Sequence, residues 1–207
     1  MSLNILQNCY IIVCVIFGAA VIATILYILL RPRYFKSNFL KIYGKRIYKY
    51  VTDYDLLLIN NFTIRRLSTK PLINHIIFGK KFIYLIRDYY FIGALEGSTS
   101  DNNLIYFKYK AKPKYINNPF LEQETAVNAF ISITNIEREL IKSIVIVNDD
   151  TILNISDLHE SVTLVKEKEL VKLIKDFESS NIKDIPQEKL ELVANEIAKL
   201  NERKNDE

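Results

Sequence analysis

The stretch that decides the fold is Leu72–Asp88, LINHIIFGKKFIYLIRD. Two apolar, β-branched runs, 72–78 and 82–86, flank Gly79-Lys80-Lys81, and glycine accepts the backbone angles of a tight turn at little cost. This pattern predicts two strands joined as a hairpin. Working outward, Asp55–Ile64 (DLLLINNFTI), Tyr89–Leu95 and Leu104–Tyr109 read as further strands. The last two are separated by GSTSDNN, residues 97–103, whose loop formers cannot continue a ladder. A meander of about five antiparallel or mixed strands is expected.

Helical spacing lies on both sides of this meander. Phe39, Leu40, Tyr43, Ile47, Tyr50 and Val51 recur at threes and fours within Phe35–Val51, as do Leu121, Val127, Ala129, Phe130 and Ile133 within Phe120–Ile136. Between meander and second helix, residues 112–119 read as an irregular extended crossing. Ile141–Val147 (IKSIVIV) is nearly all apolar, the mark of a strand covered on both faces, and Asn148-Asp149-Asp150 ends it. A short strand at Ser161–Val165, a helix over Lys166–Phe177 and an amphipathic helix from Pro186 through Leu200 complete an α/β domain.

Ile11–Leu30 (IIVCVIFGAAVIATILYILL) is different, since it carries no charge. At ~1.5 Å rise per residue it spans ~30 Å, the hydrocarbon thickness of a bilayer. It lacks the polar stripe of a core helix, so a transmembrane helix is expected. A cleaved signal peptide wants preceding positive charge, a shorter apolar region and a small-residue cleavage site, and this stretch has none of the three. No Lys or Arg precedes it, whereas Arg31, Arg33, Lys36, Lys41, Lys45, Arg46 and Lys49 follow with no acid among them. The positive-inside rule then expects a single-pass protein of the cell membrane, with Met1 outside and the domain cytoplasmic. Cys9 and Cys14 lie at or inside the span, so the domain has no disulfide framework or cysteine metal site.

The 207 residues suit one ordinary domain and exclude a large multidomain enzyme. A content of 49% hydrophobic and 25% charged residues excludes an acidic disordered chain or a collagen-like polymer. The net charge of +4 is too mild to mark a nucleic-acid binder. It is unevenly spread: residues 31–115 carry 17 Lys and Arg against 5 Asp and Glu, and residues 116–207 carry 11 against 19. Anionic lipids attract such a basic half by ~1 kcal/mol per Lys or Arg, and a nucleic-acid groove is the competing reading.

Catalytic signatures are scarce. The chain has no Walker loop, no GxSxG and no HExxH. Of its two histidines, His159 sits in the polar stretch SDLHES and is expected to face solvent. His75 sits in an apolar strand, where a structural role is expected before a ligating one, because no second His and no Cys can complete a zinc set.

A series of phrases in order carries more: GKRIYKYVTDYDLLLINNFTI (44–64), INHIIFGKKFIYLI (73–86), RDYYFIGALEG (87–97), NNPFLEQETAVNAF (117–130) and IVIVNDDTILNI (144–155). Together they resemble the nuclease-related domain (NERD) family, over about residues 43–180. That family runs from a Gly-Glu helix start through an Ile-Asp-His strand, a Gly turn, an Ile-Glu-Thr-Lys strand and an Asn-Pro-x-x-Gln helix start to a later apolar strand. The resemblance implies a restriction-endonuclease-like PD-(D/E)xK fold, a mixed sheet flanked by helices. In such a fold an Asp and a Glu hold Mg²⁺ and a Lys helps activate the attacking water.

Carried over position by position, the chemistry is altered. The helix Glu falls on Lys45, the strand Asp on Asn74, the Glu and Lys of the next strand on Arg87 and Tyr89, and the later Gln on Glu122. At ~4 Å and an effective dielectric of ~20, unit charges act on each other with ~4 kcal/mol, so a divalent ion is disfavoured beside Arg87. No metal and no catalytic residue is expected at these degenerate positions. The scaffold positions Gly44, His75, Gly79, Gly93, Gly97, Asn118 and Pro119 match the family.

The expectation is a short outer segment (1–10), a transmembrane helix (11–30), a basic juxtamembrane segment (31–42), the NERD-like domain (43–180) and a C-terminal amphipathic helix (181–207). The domain is expected to be catalytically inactive, with Lys45, His75, Arg87 and Tyr89 binding nucleic acid or an acidic protein. Two alternatives stay open. One is a tethered Mg²⁺-dependent nuclease using displaced acids among Asp88, Glu96, Glu122 and Glu124; the other is a structural membrane-assembly protein whose basic collar touches the lipid bilayer. Side chains that merely pair with Glu122 are an equal reading of the cleft.

Overall fold

A computed structural model of the protein describes residues 2–64, 70–109, 111–157 and 159–202. The side chains of Cys9, Arg31, Arg33 and Lys36, and the last residues of the 181–207 segment, lie outside what is described. Contacts divide the chain into two compact units, 1–40 and 41–207. Helix α1 (Ser2–Asp53) contributes to both. In the first unit, Tyr10–Leu30 is long and apolar enough to cross a membrane, and none of that window is buried against protein.

The second unit is mixed α/β. Strands β1 (Leu57–Thr63), β2 (Leu72–Phe78), β3 (Ile83–Tyr89), β7 (Ile141–Val147) and β9 (Val162–Lys166) form a sheet in the order β1-β2-β3-β7-β9. The first three are antiparallel, while β3, β7 and β9 run parallel. The predicted hairpin is present: Ile77 pairs with Tyr84 and Phe78 with Ile83. A side chain at Gly79 would meet Glu178 Oε1 at 2.3 Å and Phe82 O at 2.9 Å, so the turn has no room for a Cβ. Glu178 fills that concavity, accepting from the backbone N–H of Lys80 (3.1 Å) and Lys81 (3.2 Å) and from the Tyr84 hydroxyl (2.6 Å).

Both faces of this sheet are covered, which is why β7 is apolar without interruption from Ile144 to Val147. On one side α2 (Pro119–Thr134) and α4 (Gln187–Glu202) pack through Ala126, Val127, Phe130, Val193 and Ile197 against Ile76, Ile83 and Leu85. On the other, Tyr43, Ile47, Tyr50 and Val51 of α1, with Leu170 and Ile174 of α3 (Leu170–Glu178), cover Ile77, Tyr84, Ile86, Ile144 and Ile146.

The remaining strands form a second sheet instead of continuing the meander. Strands β4 (Gly93–Ser98), β5 (Asn103–Lys108), β6 (Lys114–Asn117) and β8 (Ile152–Ser156) lie in the order β6-β5-β4-β8. Three expectations are corrected here. Tyr89–Leu95 is not one strand: Asn148 Oδ1 accepts from Phe91 N at 2.8 Å, holding a break between β3 and β4. The new strand begins at Gly93, with φ 126° and Phe107 O only 2.0 Å from where a Cβ would sit. The irregular crossing at 112–119 contains β6, and β8 was not expected. The helix expected from Lys166 begins at Leu170, after a 3₁₀ turn over Glu167–Glu169.

Candidate functional site

Strand β3 is buried from Ile83 to Ile86 and emerges to half-burial at Arg87, Asp88 and Tyr89. Alternation along the strand places Arg87 and Tyr89 on the side of α2 with Leu85, and Asp88 on the side of α1 with Ile86. Opposite Arg87 is the first turn of α2, set by Asn118. Its Oδ1 accepts from Phe120 N at 2.9 Å as the helix N-cap. Its amide nitrogen reaches the carbonyls of Ser98, Thr99 and Asp101 at 3.3, 3.0 and 2.6 Å, so one buried Asn fixes both the helix start and the β4–β5 turn.

That placement brings Glu122 onto β3. Arg87 Nη2 lies 3.0 Å from Glu122 Oε2, and the Tyr89 hydroxyl donates to the same oxygen at 2.6 Å. Asn117 Nδ2 donates to the other oxygen at 3.1 Å. The guanidinium also sits 5.5 Å from the centroid of the Tyr89 ring, which stacks on Phe91 at 5.8 Å. Burial pushes the Tyr89 phenol well above its usual range against the pull of Arg87, so it remains a hydrogen-bond donor. The cluster joins one cation and one anion in an ion pair, and two further side chains, Tyr89 and Asn117, donate to the carboxylate.

The other positions diverge. Asn74 Oδ1 accepts from Asp88 N at 3.3 Å, one step beyond the β2–β3 rung His75↔Ile86, so its amide caps the end of that ladder. Lys45 is exposed on α1, whose core face covers the opposite side of the sheet from Glu122. His75 faces that α1 side too: Nδ1 is 2.5 Å from Asn60 Oδ1, and its ring meets Tyr43 edge-on at 5.3 Å. Burial lowers its pKa to about 4, and burial raises that of Asp88 to about 6. His159, expected in solvent, is only 18% exposed; it stacks over Phe120, with Nε2 3.5 Å from Glu124 Oε2. Gly44 has open space where a Cβ would go, so packing does not require glycine there.

The four acids considered for a displaced magnesium site do not gather. Asp88 faces α1, Glu96 is exposed on β4, Glu124 adjoins His159, and Glu122 is engaged by Arg87, Tyr89 and Asn117. Among the described residues, no three His, Cys, Asp or Glu form a group that could hold a metal ion. Asn74, Arg87, Tyr89 and Glu122 offer a single carboxylate, already paired with a guanidinium, a donor set that does not fit Mg²⁺ with its demand for several oxygen ligands. Sequence reasoning missed Asn117 and Gln123, whose buried amide donates to Leu85 O at 2.8 Å. Compared with protein-family models, with curated proteins and with solved structures, the chain matches none.

Proposed function

We propose that the protein is a single-pass membrane protein whose second unit is a non-hydrolytic binding domain with a NERD-like, restriction-endonuclease-like architecture. Its N-terminus lies outside and the domain in the cytoplasm, on the charge asymmetry around Tyr10–Leu30. Support for the architecture is the order of elements: an antiparallel hairpin unit, a helix, and a strand returning parallel to β3. The observation that carries the absence of hydrolysis is the Glu122 carboxylate, with Arg87 at 3.0 Å, Tyr89 at 2.6 Å and Asn117 at 3.1 Å. An Arg–Glu pair at the proposed family centre supplies no metal cage, and the guanidinium and phenol already engage Glu122 Oε2. Partners of this domain are a nucleic acid or an acidic protein, alongside the lipid bilayer.

The test is incubation of the detergent-purified full chain with labelled DNA and RNA in Mg²⁺ or Mn²⁺. The expected outcome is no metal-dependent cleavage. Cleavage abolished by Glu122→Ala or Asp88→Ala overturns the proposal in favour of a tethered nuclease.

A further inference from the structure

The second sheet has one covered face and one open face. Leu95, Leu104, Ile116, Leu153 and Ile155 turn inward, packing with Phe91, Phe120, Val145 and Val147. The strand registers then define the other face. Ala94 pairs with Phe107 and with Ile152, and Ile105 pairs with Tyr115, so these five residues share the outer face at the end nearest the β5–β6 turn. Phe107 is 36% exposed, Ile152 60% and Tyr115 78%. At this end Lys108 and Lys114, in register with Gly93 and Tyr106, alternate to the other side of their strands, where both stand exposed; Lys112 is exposed in the turn, and Tyr109 is 77% exposed there.

The same segment, FKYKAKPKY (107–115), alternates lysine with aromatic and small residues, and no acid occurs from 102 to 121. The only acid on the outer face is Glu96, one row back from the tip beside Ile105 and Asn154. Lys114 on edge strand β6 and Pro113 just before it fit protection against strand pairing, but that role does not call for exposed Tyr109, Tyr115 and Phe107. The hairpin is also anchored at the rung nearest its turn, Tyr106↔Lys114. The Tyr106 hydroxyl donates to Ile92 O at 2.9 Å, accepts from Ile92 N at 3.0 Å, and its ring packs on Phe91 at 5.3 Å.

We propose that the β5–β6 end of the second sheet docks end-on against an anionic bilayer surface, with Phe107, Tyr115 and Ile152 of the outer face entering the headgroup region and Lys112 of the turn, with Lys108 and Lys114 from the other side of the strand ends, pairing with lipid phosphates. Aromatic side chains with one polar end partition to the membrane interface, and lysines reach outward from an apolar patch to the phosphate layer. Charge complementarity favours anionic over neutral lipid. The inference rests on the membrane-anchored reading above in one respect: the anchor keeps a bilayer at hand.

The chain has no tryptophan, so Tyr115→Trp in the full chain gives a single reporter. This variant is placed in nanodiscs of phosphatidylcholine alone or mixed with phosphatidylglycerol, each containing brominated phosphatidylcholine. Co-elution of chain and disc tests the anchor; the fluorescence tests the docking face. The expected result is a blue-shifted, bromine-quenched emission in anionic discs that is lost in neutral discs, in high salt, and in a Lys108→Glu, Lys112→Glu, Lys114→Glu background with an unchanged circular dichroism spectrum. Phe107→Ser provides a second variant, expected to weaken quenching without changing net charge. Co-elution without quenching in anionic discs overturns the inference while leaving the anchor intact. Equal quenching in both disc types, persistence in the triple variant, or a response to single-stranded oligonucleotide in place of lipid also overturns it.

Discussion

The Glu122 carboxylate is the point where a structural and a catalytic reading predict opposite signs. Glu122→Ala removes the acceptor for Arg87, Tyr89 and Asn117 together, leaving a guanidinium whose side chain is only 18% exposed without its counter-charge. Fully buried pairs cost ~3–5 kcal/mol to break and exposed pairs ~0–1, so this half-buried pair falls at about 2 kcal/mol. For a chain of this size that lowers the melting temperature by roughly 4–8 °C. An acid held in a metal cage behaves otherwise, because removing it from the metal-free protein relieves repulsion. The assay is thermal unfolding of the detergent-solubilised full chain, followed by circular dichroism, for Glu122→Ala, Arg87→Ala and the double variant. The double-mutant cycle should return a coupling of about 1–2 kcal/mol. An unchanged or raised melting temperature in Glu122→Ala, or a coupling below ~0.5 kcal/mol, refutes the reasoning.

Further outcomes follow from the same contacts. Asp88 and His75 oppose each other in acid: the Asp88 pKa is raised to about 6, so its folded form binds the proton more tightly, and this stability is lost as pH rises toward 6. The His75 pKa is lowered to about 4, so its cost is full below 4 and relieved as pH rises through 6.5. Each effect amounts to about 3 kcal/mol at most; relative to wild type, melting between pH 4 and 6.5 should rise more steeply with pH in Asp88→Asn and less steeply in His75→Gln. Asn118→Ala loses a helix cap and the clamp on three carbonyls, a cost of roughly 2–4 kcal/mol that chemical denaturation can read. For topology, a lone cysteine at Ser179 in a Cys9→Ser, Cys14→Ser background should react with a membrane-impermeant maleimide only after lysis; labelling of intact cells contradicts the cytoplasmic placement.

The hairpin Leu72–Phe78 to Ile83–Tyr89 was legible because composition and turn chemistry agree there, down to a glycine whose Cβ has no room. The second sheet was not. Its separation depends on Asn148 and Thr151, which bond the backbone of Phe91 from about sixty positions away, and local spacing carries no trace of that. Strand β6, KYIN, is an edge strand whose lysine and flanking Pro113 give it the composition of a loop. In the site, the shared face of Arg87 and Tyr89 follows from a period of two, and the α2 start follows from Asn118-Pro119. Their meeting at Glu122 is tertiary, as is the placement of Lys45 on the other layer.

The Arg87–Glu122 pair also bears on the proposed family correspondence. On the proposed correspondence, a strand acid and a helix Gln are replaced by Arg87 and Glu122, so the negative charge has moved from β3 to α2 and a positive one has taken its strand position. An unmatched arginine there would leave a half-buried charge costing about 2 kcal/mol, a sizeable share of ordinary marginal stability. With Glu122 opposite, the guanidinium ties a carboxylate on α2 to β3 by charge. The two changes are therefore coupled: Arg87 without Glu122, or Glu122 without Arg87, should be less stable than either the pair or a double apolar replacement of similar volume. Arg87→Glu alone sets two carboxylates against each other across the β3–α2 contact, and should destabilise the protein more than Arg87→Ala does; equal destabilisation would mean that Arg87 acts by bulk and not by charge.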